Sequence, residues 1–557
     1  MDITKTRDKI SFSNLFNAQT VNYSVVYALG LLIFIVLKQV LKHLVGFSGD
    51  ISMPIAFAVT AVLSFIAEKK IVFVSGVRAS KIQQIYRFIF KTAVDVGIFF
   101  LLKFTLCDML GAHYTMPYVL STVIFYFFNL YFDRLIVFDS VASPKDNTNS
   151  RIYAYVFNHR YVYVSALLAL ACIGFVYAIF KLFPFGDMTV LRMDLYHQYG
   201  PLFVELYDRL TDFEGFIYSW QSGGGSSFLG NYFNYLSSPL SLIILLFDRN
   251  QIGYAITSIV AIKGILSAAC FTYYLKKSLS RHSFASACFG VFYAFSGYFL
   301  AYYWNVMWLD GMMLLPLIAL GIEQIINCSK SKTYILSLAL LFYSNYYMGY
   351  MACIFSVLYF LVYFCANYDS TSKIKISAKK DNFITKLFSN RFFATGVRFA
   401  LSSLTVGLLC AFFLLPVYNI LQACSATSDN FPSEFKSYFD LLNLISQHLA
   451  GLETTIRSSG DDVLPNIYCS IFAALLIPIY FINEKISLKE KISYTLALIF
   501  FVFSFDNNVA NFIWHAFHFP NDLPYRFSYM YVFIILVLAF KGLMNLDKIK
   551  YRDIVAT

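Results

Sequence analysis

Apolar runs of about 20 residues recur along this chain, and each is long enough to cross the hydrocarbon core of a bilayer as an α-helix. The 557-residue sequence is 59% hydrophobic and only 13% charged. Backbone polar groups inside a bilayer need partners within their own segment, which favours helices over irregular structure. The sequence therefore predicts an all-α polytopic membrane protein.

The apolar runs form two groups separated by a polar, basic stretch. Four spans are expected in the first group, near 23–45, 52–67, 90–109 and 114–132. Ten are expected in the second group, near 158–181, 251–275, 283–304, 311–327, 333–344, 348–365, 397–420, 465–483, 492–505 and 526–544. We therefore expect a four-helix domain at 1–140, a cytoplasmic linker at 141–157 and a multi-helix domain at 158–557.

Lys and Arg residues cluster in alternate connections between the expected spans. Because basic residues are retained on the cytoplasmic side, this alternation predicts a multi-pass cell-membrane protein with both termini in the cytoplasm. The net charge of +11 is accounted for in this way and requires no nucleic acid. The long polar segment at about 182–236 is then expected on the outer face, as the large first loop of the second domain.

This first loop contains the sequence Asp194-Leu-Tyr-His197-Gln198-Tyr199. Long connections in compact domains are often functional, and a carboxylate near the outer face could serve as a general base. We interpret Asp194 as the catalytic base of a membrane-embedded glycosyltransferase. An acidic loop that is merely solvated is the alternative, and the residues themselves leave it open.

Other polar and aromatic residues occur where spans reach the same face. Asp310 is a second candidate carboxylate, and the cations Arg526, Lys263 and Arg192 are candidates to hold a phosphate group. A structural partner for a buried polar group is the alternative for Lys263. We expect Asp194 and Arg526 to meet in one water-accessible hollow. The candidate sugar- and acceptor-binding residues are His197, Gln198, Trp220, Asn305, Trp308, Asn345, Tyr346 and Tyr525.

Metal-ligand spacing is weak in this sequence. No Cys-x-x-Cys pair occurs, and His515 and His518 stand three residues apart with no organised third ligand. We predict no metal site and no firm cofactor, and leave a requirement for a divalent cation open.

The first domain contains an internal repeat. Residues 64–73 align without gaps on residues 129–138, and each copy contains an acid, a base and then Ile-Val-Phe. A duplicated helix pair is one interpretation, and two similar helix ends with snorkelling cations are the other. Asp95 and Lys103 lie within the third span, where they could face a polar path or pair with each other.

The repeat resembles the GtrA-like family of small four-helix membrane proteins. Asn129, Asp133 and Arg134 in the second copy fit the family's signature, whereas the first copy has Ser64 and Lys69 at the corresponding Asn and Arg positions. The resemblance implies that this domain moves polyprenyl-phosphate sugars across the membrane.

The second domain resembles the YfhO family of bacterial membrane proteins. The resemblance implies a glycosyltransferase of the GT-C type, with an acidic residue in its first outer loop and a polyprenyl-phosphate sugar as donor. It also implies an acceptor in a teichoic-acid-like envelope polymer, contact with membrane lipids and a cytoplasmic-side synthase that makes the donor. A flippase without transferase activity and a scaffold for wall-polymer assembly are the alternatives. The matching motifs are Asp194-Leu-x-x-Gln198-Tyr199, Trp220 with its Gly cluster, Ser238-Pro239, Trp308-Leu-Asp310, Ser344-Asn345-Tyr346-Tyr347, Leu464-Pro465-Asn466 and Pro524-Tyr525-Arg526-Phe527.

Overall fold

A computed structural model describes residues 17–109, 111, 113–140, 150–367, 390–423, 430–455, 463–520 and 522–546. The described chain is almost entirely helical, and its one sheet is the two-stranded antiparallel pair Tyr218–Ser219 (β1) and Ser226–Ser227 (β2). The predicted all-α fold is confirmed. Of the linker predicted at 141–157, residues 141–149 lie outside the described residues, and residues 150–157 fall in the helix Ser150–Asn158.

The α-helices are numbered in chain order. They are Ala18–His43 (α1), Gly49–Ala67 (α2), Lys81–Lys103 (α3), Met116–Phe132 (α4), Ser150–Asn158 (α5), Arg160–Ile179 (α6), Gly200–Thr211 (α7), Phe228–Asn231 (α8), Ile252–Ser278 (α9), Phe284–Ala294 (α10), Gly297–Tyr302 (α11), Leu309–Cys328 (α12), Lys332–Ser344 (α13), Tyr346–Asn367 (α14), Arg391–Gln422 (α15), Leu441–Ser446 (α16), Ile471–Ile482 (α17), Leu488–Asp506 (α18), Asn508–Trp514 (α19) and Ser528–Met544 (α20).

Nine helical segments in the described part of the chain are long and apolar enough to cross a membrane. Each predicted span coincides with a helix, which confirms a multi-pass membrane protein. The helices α17 and α20 have only 12 and 17 residues. Such lengths fall below the roughly 20 residues that an isolated helix needs to cross a bilayer.

The chain divides into two compact units, and each unit is made of several separate segments of the sequence. The first unit contains Met1–Arg160 together with Gly174–Thr189 and Leu245–Ala255. The second unit contains Tyr161–Ile173, Val190–Ile244 and Ile256–Thr557.

The sequence repeat of the first unit is also a structural repeat. Both α2 and α4 widen at their ends into one π-helical turn, over Glu68–Val72 and Asp133–Val137. The acid of each copy opens the turn at the aligned position. The Phe residues that close the two copies, Phe73 and Phe138, stack with ring centroids 4.4 Å apart. The two copies therefore share a backbone deviation as well as a motif.

In each copy of the repeat, a side chain from a neighbouring helix donates a hydrogen bond to the same backbone carbonyl of the π-helical turn. The side chain of Asn22 from α1 donates to the carbonyl of Ile71 at 3.3 Å, and Arg87 from α3 donates to the carbonyl of Ile136 at 2.8 Å. Ile71 and Ile136 occupy aligned positions of the repeat. Because a π-helical turn changes the backbone hydrogen-bond pattern, a side-chain donor satisfies the same carbonyl in each copy.

Two helices, α12 and α20, form the centre of the second unit, and both are buried along most of their length. Close helix contacts depend on glycine. A Cβ atom on Gly321 of α12 would lie 2.4 Å from the backbone nitrogen of Tyr334 in α13. Both central helices begin directly after short turns, at 303–308 and 522–527, which carry several of the predicted site residues.

Candidate functional site

Asp194 lies at the start of a short helical segment in the second unit. The π-helical turn Leu195–Tyr199 follows it and continues into α7. Leu195 and Tyr199 are buried and anchor the turn, whereas Asp194 is exposed. The Asp194 carboxylate makes no helix-capping hydrogen bond. The turn therefore holds this carboxylate at a solvent-accessible position.

Two tyrosines lie beside Asp194 and form the centre of the candidate site. Tyr199 and Tyr235 stack with ring centroids 5.0 Å apart. The hydroxyl of Tyr199 donates to Oδ1 of Asn305 at 3.1 Å, and Nε2 of Gln198 donates to the hydroxyl of Tyr235 at 3.3 Å. The pair thus joins the Asp194 turn to the turn before α12.

The charges of Asp194 and Arg526 both influence these two tyrosines. Burial is the largest cause that raises the pKa of Tyr199; the neighbouring Tyr235 and Asp194 add to the effect, and Arg526 opposes it. Burial also raises the pKa of Tyr235, which again senses Arg526 and Asp194 with opposite signs. One carboxylate and one guanidinium from distant parts of the chain therefore act on the same two phenol groups.

Arg526 is held in place by backbone carbonyls and aromatic rings. Its Nε donates to the carbonyl of Leu523 at 3.3 Å, and a terminal nitrogen donates to that of Asp522 at 3.1 Å. The guanidinium carbon lies 5.0 Å from the ring centroid of Trp308 and 5.4 Å from that of Tyr347. Such cation–π contacts orient the guanidinium group between two aromatic rings.

His515 is a further neighbour of Arg526. It is fully buried, and its Nδ1 lies 2.7 Å from the carbonyl of Asn511. Burial, followed by the charge of Arg526, lowers the pKa of His515 well below its usual value. The imidazole is therefore neutral at physiological pH and adds no second positive charge beside Arg526.

Lys263 and Asp310 form a buried ion pair in the second unit. Lys263 Nζ lies 2.5 Å from Asp310 Oδ2, and both side chains are 1% exposed. Ser238 donates to the other oxygen of Asp310 at 2.8 Å, and Lys263 also donates to the carbonyl of Val306 at 2.9 Å. The arrangement matches the structural alternative that the sequence left open for Lys263. It ties the turn at 303–308, which carries Asn305 and Trp308, to α9.

The other predicted residues are placed in two ways. Asn345 and Tyr525 are buried and bind backbone: Asn345 donates to the carbonyl of Asn234 at 2.6 Å, and Tyr525 donates to that of Val463 at 2.7 Å. Both therefore stabilise loops. Exposed or half-buried positions are occupied by Arg192, His197, Gln198, Trp220 and Tyr346.

Trp220 belongs to the β1–β2 hairpin, and its side chain is 78% exposed. The hairpin turns through a triple glycine, and Gly225 has a φ of 125°. A Cβ atom at Gly225 would lie 2.0 Å from the hydroxyl of Tyr218, so the turn excludes larger residues there. Trp220 is presented by a tight hairpin and lies outside the tyrosine pair's immediate contacts.

Two of the predicted polar residues of the first unit line one cavity. A cavity of ≈ 380 Å³ is lined by Asp95 and Asn129 and by many apolar side chains. Nδ2 of Asn129 donates to Asp95 at 2.9 Å, and Asp133 forms a buried ion pair of 2.8 Å with Lys91. Lys91 was not among the predicted residues, although a basic residue near the start of the third expected span is a signal that could have identified it.

Two predicted residues of the first unit are less buried than this group. Lys103 is exposed at the end of α3, and Arg134 is half-buried. The pairing of Asp95 with Lys103 that the sequence left open is replaced by the contact between Asp95 and Asn129.

Comparison with known proteins identifies the second unit's family. The profile described as "Bacterial membrane protein YfhO" matches residues 165–557. The chain belongs to the YfhO family. The YfhO protein of Bacillus subtilis (strain 168), named "Uncharacterized protein YfhO", is 26% identical over 368 residues, covering 63% of this chain. The match covers only 37% of that relative, so the chain spans well under half of its length. No solved structure gives a significant match.

The YfhO match includes every residue of the candidate site around Asp194 and Arg526. It begins after the four-helix part, so the GtrA-like resemblance of residues 1–140 stays a prediction. Tyr235, Tyr347 and His515 were not among the predicted site residues. Tyr347 was recognised only as part of a motif and His515 only as a weak metal candidate, and Tyr235 has no distinctive spacing. Within the described residues, no group of three or more His, Cys, Asp or Glu side chains is arranged to hold a metal ion.

Proposed function

We propose that this YfhO-family protein is a GT-C-type glycosyltransferase that uses a polyprenyl-phosphate sugar. The proposal rests on one observation: the turn that begins after exposed Asp194 contacts Asn305 through Tyr199, and half-buried Arg526 packs against Trp308 of the same turn as Asn305. A carboxylate and a guanidinium at one site provide the base and the anion-binding group that transfer from a phosphate donor requires. The acceptor is proposed to be a teichoic-acid-like envelope polymer.

The reaction is a single displacement at the anomeric carbon. Asp194 takes the proton of the acceptor hydroxyl as its oxygen attacks, and a new glycosidic bond forms. The bond from the anomeric carbon to the phosphate oxygen breaks, and polyprenyl phosphate leaves with the electron pair. Arg526 stabilises the departing phosphate, assisted by the exposed Arg192, and inversion is the expected stereochemical outcome.

The surrounding polar groups position these two residues and the sugar. Asn305 accepts a hydrogen bond from the Tyr199 hydroxyl, and the Trp308 ring makes a cation–π contact with Arg526. Lys263 and Asp310 hold the turn that carries both. The exposed His197, Gln198 and Trp220, with Tyr346, are proposed to contact sugar or acceptor, whereas the buried Asn345 and Tyr525 support the loops around them.

Transfer is tested with the purified full chain in liposomes, supplied with radiolabelled polyprenyl-phosphate sugars and isolated envelope polymer. Asp194→Asn is expected to fold and insert but to lose transfer by at least about 100-fold, because a positioned general base contributes about 10²–10⁴. Asp212→Asn is the matched control, since Asp212 is an exposed carboxylate at the C-terminal end of α7. Transfer by Asp194→Asn at the rate of the control rules out the assigned base.

A second activity is favoured by the amphipathic cavity of the first unit. Its ≈ 380 Å³ volume combines buried polar groups with an apolar wall, as a lipid with a polar head group requires. We propose that this unit moves or delivers the lipid-linked donor, made by a cytoplasmic-side synthase, to an extracytoplasmic active site. In the same liposomes, movement of labelled sugar across the bilayer without a glycosidic product would favour a flippase without transferase activity.

A further inference from the structure

The polar end of the first unit's cavity contains more acidic than basic groups. Glu68, Asp95 and Asp133 supply three carboxyl groups, and Lys91 supplies one cation; all four side chains are buried. If all were ionised, three negative charges and one positive charge would leave a net charge of −2. Carboxylates that share a low-dielectric site cannot all remain ionised, and intramembrane ionisable residues are expensive to retain.

The contacts within this group show that only one of the three carboxyl groups has a positive partner. Asp133 is paired with Lys91 at 2.8 Å, and Asp95 accepts from the amide of Asn129 at 2.9 Å. Glu68 lines the same cavity as Lys91, whose charge Asp133 already pairs with, so Glu68 and Asp133 are two buried carboxyl groups beside one cation.

Glu68 also points to the cavity with an unused oxygen. It lines the cavity, it is 4% exposed, and its Oε2 has no hydrogen-bond partner among the described residues. The other groups that face this carboxyl pair are Tyr23 from α1 and Lys91 and Asp95 from α3.

The repeat explains why these two acids meet. Glu68 and Asp133 occupy aligned positions, and each is the first residue of a π-helical turn. Turns of this kind often occur at functional sites. The repeat therefore contributes one acid from each copy to this buried group, Glu68 at the cavity and Asp133 through its ion pair with the cavity-lining Lys91.

We propose that Glu68 and Asp133 form a proton-binding site in the first unit, with the proton on Glu68. Removal of the proton leaves two adjacent carboxylates, of which only Asp133 has a lysine partner. The charge of the cavity then changes with pH, and with it the preference for a charged head group. This site is independent of the transfer reaction proposed for the second unit.

Infrared difference spectroscopy of the purified full chain tests the proposal. At neutral pH the wild-type protein should show a carbonyl-stretching band of a protonated carboxylic acid that disappears at alkaline pH. Glu68→Gln should abolish this band. The matched control is Glu323→Gln, which removes another buried glutamate whose Oε1 accepts from Tyr274 and Tyr359 at 2.7 Å each. This control should retain the band.

A spectrum of Glu68→Gln that keeps the band, or loss of the band only in Glu323→Gln, overturns the proposal. If Glu68→Gln fails to fold, the Glu323→Gln protein is prepared with side-chain carbon-13 glutamate or aspartate instead. A band that shifts with labelled glutamate supports the proton on Glu68. A band that shifts only with labelled aspartate, or no band at all, contradicts it.

Discussion

The two candidate carboxylates of the second unit, Asp194 and Asp310, differ in their hydrogen-bond partners. Asp194 is exposed and caps no helix, whereas Asp310 is buried and accepts from both Lys263 and Ser238. The expectation that Asp194 and Arg526 share one site agrees with their common influence on Tyr199. Their chemical roles remain predictions.

Tyr199 joins the two halves of the candidate site, and its hydroxyl is the atom to remove. Tyr199→Phe keeps the ring stacked on Tyr235 but loses the hydrogen bond to Asn305. We expect kcat/KM for sugar transfer to fall about 10-fold, equivalent to about 1.4 kcal/mol. Stability should fall by about 1–3 kcal/mol, because the buried Asn305 loses its hydrogen-bond donor. Radiolabelled transfer and thermal unfolding measure the two effects, and an unchanged kcat/KM would show that the hydroxyl has no part in positioning.

The buried pair Lys263–Asp310 predicts an effect on stability. Lys263→Met leaves the Asp310 carboxylate buried without its cation, which costs about 3–5 kcal/mol. Lys42→Met is the matched control, because the Lys42–Asp248 pair is 31% and 42% exposed and should contribute at most about 1 kcal/mol. Unfolding in detergent compares the two variants. Equal stability of the two would mean that the buried pair is dispensable.

The pairing of Lys263 with Asp310 could not be predicted from a single sequence. Each residue is recognisable as an ionisable group at membrane depth, but their contact depends on how α9 packs against α12. The same limit explains why Lys91 and Glu68 were overlooked, since only the packed four-helix unit shows that they share a cavity. Composition reveals that a polar group needs a partner, and packing decides which one.

At the scale of helices, hydropathy predicted the positions well and the backbone details poorly. The predicted spans coincide with helices because about 20 apolar residues in a row leave a membrane segment little alternative. The repeat at 64–73 and 129–138 was recognisable as a motif. Its π-helical turns were not, because a change in backbone hydrogen bonding has no simple periodic signal in the side chains.

The contact between α12 and α13 gives a prediction for glycine. A Cβ atom at Gly321 would lie 2.4 Å from the Tyr334 nitrogen, and backbone atoms cannot move aside easily. Gly321→Ala should therefore destabilise the protein by about 1–3 kcal/mol. Gly407→Ala in α15 is the control, since no neighbouring atom lies within 4 Å and alanine favours helix. A Gly321→Ala protein as stable as the control would contradict the close contact.

For the whole molecule, the family match and the helices establish a multi-pass membrane protein of the YfhO family. The predicted domain boundary near 158 is close to the beginning of the match at residue 165. The compact units are less simple, because the first unit also contains Gly174–Thr189 and Leu245–Ala255. The predicted domains at 1–140 and 158–557 therefore stay predictions, and sequence order did not reveal that later segments belong to the first unit.

The exposed Trp220 gives this protein an intrinsic optical label for sidedness. The chain has four tryptophans, and Trp304, Trp308 and Trp514 are all buried. In sealed vesicles of known orientation, iodide added outside should quench part of the emission if the β1–β2 hairpin is extracytoplasmic. Trp220→Phe should remove that quenchable part. Quenching only when iodide is enclosed on the cytoplasmic side would invert the proposed orientation, and one native indole would have decided it without any attached dye.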